Sequence, residues 1–209
     1  MIKDALTSCV AELGAALREF PWASREAYAD WLAQTYYYVR HSTRLLAASA
    51  SRFPQDEEGN ALHVRFIAHM AEEKKHEMLC IRDLASLGGT IDKFPELAST
   101  RMFYEPQYYK VEHQAPIALF GYILALEAMS AEHGPWVLDE VRKNHDGMSF
   151  VRLHAADDED HLEKALATLD RAQAHHEVIV ANLRQSTLGY TNLLAEIRRN
   201  ASGARRLSA

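Results

Sequence analysis

The 209-residue sequence has few of the residues that cross-link or interrupt a chain: 2 cysteines, 6 prolines and 9 glycines. Cys9 and Cys80 are too few for a disulfide framework, so we expect a reducing, cytoplasmic location. No apolar run approaches the roughly 20 residues that a membrane-spanning helix needs. Lys3, Asp4 and Glu12 place charges in the first stretch, so we also expect no secretion signal.

A strongly basic surface is also missing, because the formal net charge is −6. The only basic cluster lies near the end of the sequence and consists of Arg198, Arg199, Arg205 and Arg206. Nucleic acid attracts strongly basic surfaces, so we expect neither nucleic acid nor a membrane among the partners.

What the sequence does contain is a series of long segments with a helical apolar period, separated by clusters of glycine and proline. This pattern predicts an all-α fold: one domain of about seven helices over residues 1–200 and a flexible tail over 201–209. The predicted helices cover residues 2–19, 24–51, 58–87, 116–133, about 135–143, 149–170 and 171–200. Residues 88–115, which contain Pro95 and Pro106 and end just before Pro116, are expected to be irregular.

Two octapeptides share one spacing of histidines: HMAEEKKH at residues 69–76 and HAADDEDH at residues 154–161. In each, two histidines and a carboxylate follow the pattern i, i+4, i+7, which places them on one face of a continuous helix. Two such helices that face each other can surround a metal ion. The alternative is that the acidic residues form two solvated helix faces. The candidate ligands are His69, Glu73, His76, His154, Asp158 and His161.

A further carboxylate, Glu127, stands in the apolar stretch GYILALEAMSA. A carboxylate that is buried among apolar residues must be neutral, paired or bound to a metal; the alternative is that Glu127 reaches solvent or a lysine. Glu132 and His133 are expected to be exposed near the end of that helix. Mixed histidine and carboxylate ligands favour iron or manganese over zinc, and bridging carboxylates could join two ions.

With these motifs, the sequence resembles the heme-oxygenase-like di-iron oxidases and oxygenases. The stretches that carry the resemblance are QTYYYVRHSTRLLAASASR (34–52), AEEKKHEMLCIRDLASLGG (71–89), ILALEAMSA (123–131) and FVRLHAADDEDHLEKAL (150–166). The resemblance implies the helical fold of heme oxygenase with a pair of non-heme irons. It implies iron ligands at His76, Glu127, His154, Asp158 and His161. Some family members have glutamate at the position of His69, so either His69 or Glu73 could complete the site.

Several assignments stay open at this level. His41 could be a further ligand or an ordinary core or surface histidine, and Trp31, Phe120 and Tyr122 could line a substrate pocket or simply pack. The function that the resemblance implies is an oxidase or oxygenase that takes a small organic or acyl substrate, dioxygen and an electron donor. The alternatives are a heme oxygenase, a thiamine-degrading enzyme with Cys80 as nucleophile, and a ferritin-like iron carrier. A homodimer is expected.

Overall fold

The structure is a computed structural model that describes residues 2–169 and 175–207, without the side chains of 157–161 and 204–207. These ranges hold nine α-helices and two short 3-10 turns but no strand, which confirms the predicted all-α class. None of the described helices is long and apolar enough to span a bilayer. The helices are α1 (Ile2–Glu19), α2 (Arg25–Val39), α3 (Ser42–Ala50), α4 (Glu57–Glu72), α5 (His76–Ser86), α6 (Ala98–His113), α7 (Leu119–Arg142), α8 (Ser149–Leu169) and α9 (His176–Leu207).

Two helix ends carry residues that favour a helix boundary. The side chain of Ser24 caps α2 by accepting a hydrogen bond of 3.3 Å from the backbone N–H of Ala27. After α5, Gly88 adopts the left-handed conformation with φ of 67°, which glycine tolerates and which commonly ends a helix. By contrast, the single predicted helices over 24–51 and 58–87 are wrong, since each divides into two helices.

The prediction that residues 88–115 are irregular is wrong, because α6 occupies most of this segment. Its start is held by the buried amide of Gln34 on α2. The Gln34 Oε1 atom accepts hydrogen bonds from the Leu97 backbone N–H at 3.0 Å and from the Thr100 hydroxyl at 2.7 Å. This contact from outside the segment replaces a local capping residue. Buried residues such as Phe103 then offset the lost hydrogen bond at Pro106.

Helix α7 runs through the middle of the fold, against α1, α8 and α9. The predicted break at Gly134-Pro135 is wrong, since α7 continues to Arg142. Glycine is needed there for packing, not for a turn: a Cβ atom at Gly134 would lie 3.2 Å from the backbone of Ala155 on α8. At Gly121 a Cβ atom would lie 2.3 Å from the carbonyl oxygen of Ile179 on α9. Both neighbours therefore pack closely against α7.

The expectation that His133 is exposed is wrong, whereas Glu132 beside it is exposed as predicted. The His133 imidazole enters the contact between α7 and α1, where Nε2 lies 3.1 Å from the carbonyl oxygen of Val10. Space for the ring exists because residue 14 is glycine; a Cβ atom there would lie 2.3 Å from Nε2. His133 thus joins α7 to α1.

Candidate metal centre

The first octapeptide, HMAEEKKH, spans a joint between two helices. Helix α4 ends at Glu72, and α5 begins at His76, after a turn in which Lys75 has φ of 71°. Lys75 is the only residue other than glycine with positive φ among those described. The prediction that His69, Glu73 and His76 share one continuous helix is therefore wrong, because the left-handed turn interrupts it.

The turn nevertheless brings all three side chains together. Glu73 lies between the two imidazoles: its Oε1 atom is 3.6 Å from His69 Nε2, and its Oε2 atom is 3.5 Å from His76 Nδ1. The side chains of Glu73 and His69 are only 11% and 6% exposed. Both candidates for the uncertain position, His69 and Glu73, thus lie in the same cluster.

Glu127 reaches this cluster from the middle of α7. It is buried, as its apolar surroundings predicted, and its Oε1 atom lies 3.2 Å from His69 Nε2. The predicted alternative of a solvent-exposed Glu127 is therefore wrong. A buried carboxylate needs a polar or charged partner. The imidazole of His69 is one such partner for Glu127.

The second octapeptide contributes His154 from α8. Its ring centroid lies 5.1 Å from that of His76 and 4.4 Å from that of Phe150. The backbone of residues 154–161 is helical as predicted, but Asp158 and His161 lie outside the described side chains. Within the described part of the chain, no three His, Cys, Asp or Glu side chains already form a group that could hold a metal ion.

The electrostatics of the cluster centre on Glu73. Burial pushes the pKa of its carboxyl group up, but the adjacent imidazoles of His69 and His76 and the charge of His154 hold it below its ordinary value. Glu73 is therefore an ionised carboxylate at neutral pH. A carboxylate that is ionised although only 11% exposed is suited to bind a cation.

The cluster forms part of the wall of a cavity with a volume of about 110 Å³. His69, Glu73, Glu127 and His154 all line it, and most of the remaining wall is apolar. Of the three aromatic residues considered for a pocket, Trp31 and Tyr122 line the cavity, whereas Phe120 packs against Phe66 in the core. Burial raises the pKa of Tyr122 well above its ordinary value, so its phenol stays protonated. A mostly apolar cavity with a few polar groups in its wall is typical of a ligand site.

Two other residues considered from the sequence do not line this cavity. His41 turns toward α6, where Nδ1 lies 2.8 Å from the hydroxyl oxygen of Tyr108 and the ring stacks on Tyr104. Cys80 is completely buried, and burial raises the pKa of its thiol well above the ordinary value. The thiol is thus protonated and inaccessible, which is unfavourable for a nucleophile.

Asp83 is a supporting residue that the sequence analysis missed. It lies on α5, is buried, and accepts hydrogen bonds from the Ser149 hydroxyl and, at 2.8 Å, from the Phe150 backbone N–H. It therefore caps the start of α8 and fixes the helix that carries His154 against the one that carries His76. Only the segment NHDGMSF before α8 hinted that a helix start needed a cap there.

A family model described as "Iron-containing redox enzyme" matches residues 29–190, which include every described residue of the cluster. Among curated proteins, none is similar enough to count as a match.

Solved structures share the fold at low sequence identity. A domain of unknown function with a heme oxygenase-like fold from Shewanella denitrificans matches with a TM-score of 0.84 and 18% identity, over 97% of this chain and 94% of that one. A TenA homolog from Pseudomonas syringae gives 0.77 and 11%, over 93% and 91%. A TenA homologue from Pyrococcus furiosus gives 0.77 and 12%, over 95% and 100%. At these identities the likeness shows the fold alone.

Proposed function

The chain belongs to the family of iron-containing redox enzymes, and from this membership we propose that it is a non-heme di-iron oxidoreductase that activates dioxygen. Its substrate is a small organic or acyl compound. The observation that carries the proposal is the cluster of His69, Glu73, His76, Glu127 and His154. His69 and Glu127 are buried in it, the other three are partly buried, and all but His76 line a mostly apolar cavity.

The donor set of the cluster fits iron. The cluster contains three imidazoles and two carboxylates. Its histidine nitrogens lie 3.2–3.6 Å from carboxylate oxygens at three contacts, and the rings of His76 and His154 are 5.1 Å apart. Such a mixed set of nitrogen and oxygen donors suits iron, whereas structural zinc sites are usually rich in sulfur. Glu73 and Glu127 would hold iron from the α4–α5 joint and from α7. His69, His76 and His154 would provide nitrogen ligands, and Asp158 and His161 on α8 would complete the set.

Iron supplies, when bound, the electrons that reduce dioxygen. The chain's own residues would prepare that chemistry. The carboxylate of Glu73 stays ionised and its charge attracts the cation. Apolar residues around the cavity keep water away from the reacting group. The protonated phenol of Tyr122 offers a hydrogen-bond donor within the same cavity.

The three alternatives gain less support from the described residues. His41 is the histidine that an early helix could offer to heme, and it instead contacts Tyr104 and Tyr108. The buried, protonated thiol of Cys80 does not suit a thiamine-degrading nucleophile. An iron carrier needs no apolar cavity beside its iron, whereas an enzyme needs such a cavity to hold its substrate.

The test is to load the protein with ferrous iron without oxygen, count the iron, and then record the optical spectrum after oxygen is added. We expect two irons per chain and a transient absorption band in the native protein. The variant Glu127→Ala should lose at least one of the two irons, because the α7 carboxylate would no longer be available.

Glu132→Ala is the matched control, since Glu132 lies on the same helix but is exposed. It should retain full iron content and the same oxygen reaction. Equal iron content in the Glu127 and Glu132 variants would contradict the ligand assignment. A single zinc ion per chain with no reaction toward oxygen would contradict the di-iron function itself.

A further inference from the structure

The wall of the cavity contains a phenol whose hydrogen-bonding capacity is unused. Tyr122 lies on α7, lines the cavity and is only 3% exposed. Its hydroxyl oxygen is shielded from solvent and has no hydrogen-bond partner among the residues that the structure describes. A buried polar group without a partner is costly, so nearly all such groups in native proteins are satisfied by protein, water or a ligand.

Two other polar groups of the same wall do have protein partners. The Trp31 indole N–H donates to the Tyr190 hydroxyl at 3.1 Å, and the Trp22 indole N–H donates to the Leu17 carbonyl oxygen at 2.9 Å. The wall also holds two partly exposed residues with hydroxyl groups, Ser42 and Ser130. Outside the cluster, Tyr122 is thus the only described wall residue that has a buried polar atom without a hydrogen-bond partner.

The phenol of Tyr122 is a donor that lies close to the cluster. Burial raises its pKa well above the ordinary value, and the negative charge of Glu73 raises it further, so the hydroxyl keeps its proton. Tyr122 also precedes Glu127 by five residues on α7, which corresponds to a rise of about 7.5 Å. A ligand group that accepts the hydrogen bond of Tyr122 is therefore near the candidate metal ligands.

A carbonyl group matches this donor better than a hydroxyl group does. A carbonyl oxygen only accepts hydrogen bonds, so it satisfies Tyr122 and adds no donor of its own. A hydroxyl group would bring an additional donor, which would need a further acceptor inside the cavity. The remaining wall is mostly apolar and suits an apolar ligand body. The matching ligand is thus an apolar molecule that carries a carbonyl group.

We propose that the Tyr122 hydroxyl donates a hydrogen bond to a carbonyl oxygen of the substrate and so holds an acyl or keto group beside the cluster. The inference rests on the proposed function only in treating the cavity as the substrate site. It narrows the substrate class from small organic compounds to those that carry a carbonyl group. Tyr122 then determines specificity, because an analogue without the carbonyl oxygen leaves the buried phenol unsatisfied.

The test uses iron-free protein and two probes of nearly the same shape, cyclohexanone and methylenecyclohexane, in which a methylene group replaces the carbonyl oxygen. Six-membered rings are suitable probes, because the cavity volume is about 110 Å³ and an apolar cavity of about 150 Å³ binds benzene. Binding to the native protein and to Tyr122→Phe is measured by isothermal titration calorimetry. The substitution should weaken cyclohexanone binding about two- to tenfold, the net effect of one hydrogen bond, and should change methylenecyclohexane binding less than about twofold.

Tyr190→Phe is the matched control, since Tyr190 lines the same cavity but its hydroxyl already accepts the Trp31 N–H. This variant should change the affinities for the two probes by the same factor. Thermal unfolding without a probe provides a second comparison. Tyr122→Phe should keep or raise Tm, because no protein hydrogen bond is lost, whereas Tyr190→Phe should lower Tm, because the Trp31 N–H loses its acceptor.

An infrared measurement tests the contact without depending on a variant. The carbonyl stretching band of cyclohexanone bound to the native protein should lie at lower wavenumber than in an alkane solvent, because a hydrogen bond weakens the C=O bond. A band at the alkane position would overturn the proposal.

Equal effects of Tyr122→Phe on the two probes would overturn it too, since the phenol would then bond to water and not to the ligand. Failure of both probes to bind the folded native protein would likewise overturn it. Iron content and oxygen reactivity are measured separately on the loaded protein, so the function of the cluster can stand if the carbonyl proposal falls.

Discussion

Asp83 lies outside the cluster, yet we expect its replacement to disturb the candidate centre. Its buried carboxylate receives the Ser149 hydroxyl and the Phe150 backbone N–H at the start of α8. His154 lies four residues after Phe150 on the same helix. Asp83→Asn keeps the shape of the side chain but removes its negative charge, and it turns one acceptor oxygen into a donor group.

The size of the effect follows from the bonds that change. A hydrogen bond to a charged group contributes about 1.5–3 kcal/mol, and the asparagine can keep only one of the two acceptor contacts. The lost interaction of a negative charge with the helix N-terminus adds about 0.3–1 kcal/mol. We therefore expect the free energy of unfolding to fall by about 2–4 kcal/mol. For a domain of this size, that corresponds to a decrease in Tm of roughly 4–16 °C.

The assay is reversible chemical or thermal unfolding, with iron content of the loaded protein as a second measurement. Asp146→Asn is the matched control, since Asp146 is exposed three residues before Ser149 and should change the unfolding free energy by less than about 0.5 kcal/mol. We also expect Asp83→Asn to lower iron content, because α8 would no longer be fixed against α5. Equal stability of the two variants would refute the capping role of Asp83.

Two further predictions concern backbone strain and pH. Lys75→Gly should raise the free energy of unfolding by about 1 kcal/mol, because glycine tolerates the left-handed conformation of residue 75. The control Lys75→Ala keeps a Cβ atom and should not raise it. Equal unfolding curves for the two variants would contradict the proposed backbone strain. Burial and the nearby charges of Arg40 and Arg44 lower the pKa of His41 to about 4, from about 6.5 in the unfolded chain. The folded state therefore binds fewer protons, and stability should decrease as pH falls from about 6.5 toward 4. His41→Gln should weaken this pH dependence of stability. The effect should be small, because His41 is partly exposed and solvent screens its charge. An unchanged pH profile in the variant would contradict the role of His41.

The helical class and most helix starts were predictable because they depend on local apolar periods and end signals. The segment 88–115 was not, because its helix depends on Gln34, which is about sixty residues away in sequence. The prolines at 106 and 135 misled the prediction for a related reason. A proline removes one hydrogen bond within the helix, whereas the buried faces of α6 and α7 provide packing that only the assembled fold reveals.

The residues of the cluster were predictable to a larger extent than its geometry. His69, Glu73, His76 and His154 stood out through the repeated spacing of the two octapeptides, and Glu127 because a carboxylate is unusual in an apolar segment. The fold brings all five together. His41 carried the same chemical signal, yet its ring points toward Tyr108, since residues 40 and 41 interrupt the helix between α2 and α3. Trp31 and Tyr122, which were considered for a pocket, line the cavity, but the rest of its wall could not be predicted because it comes from helices distant in sequence.

The two octapeptides reach the same cluster in different ways. HAADDEDH lies within one helix, which packs along α7. HMAEEKKH divides at Lys75, so that α4 packs against α3 while α5 packs against α2 and α8. A continuous helix would separate His69 and His76 by about 10 Å along its axis and point both halves toward the same neighbours. The turn instead leaves Glu73 between two helices with different partners and within 3.6 Å of both histidines. The strained conformation of Lys75 is thus the local cost of placing a carboxylate where two independently packed helices meet.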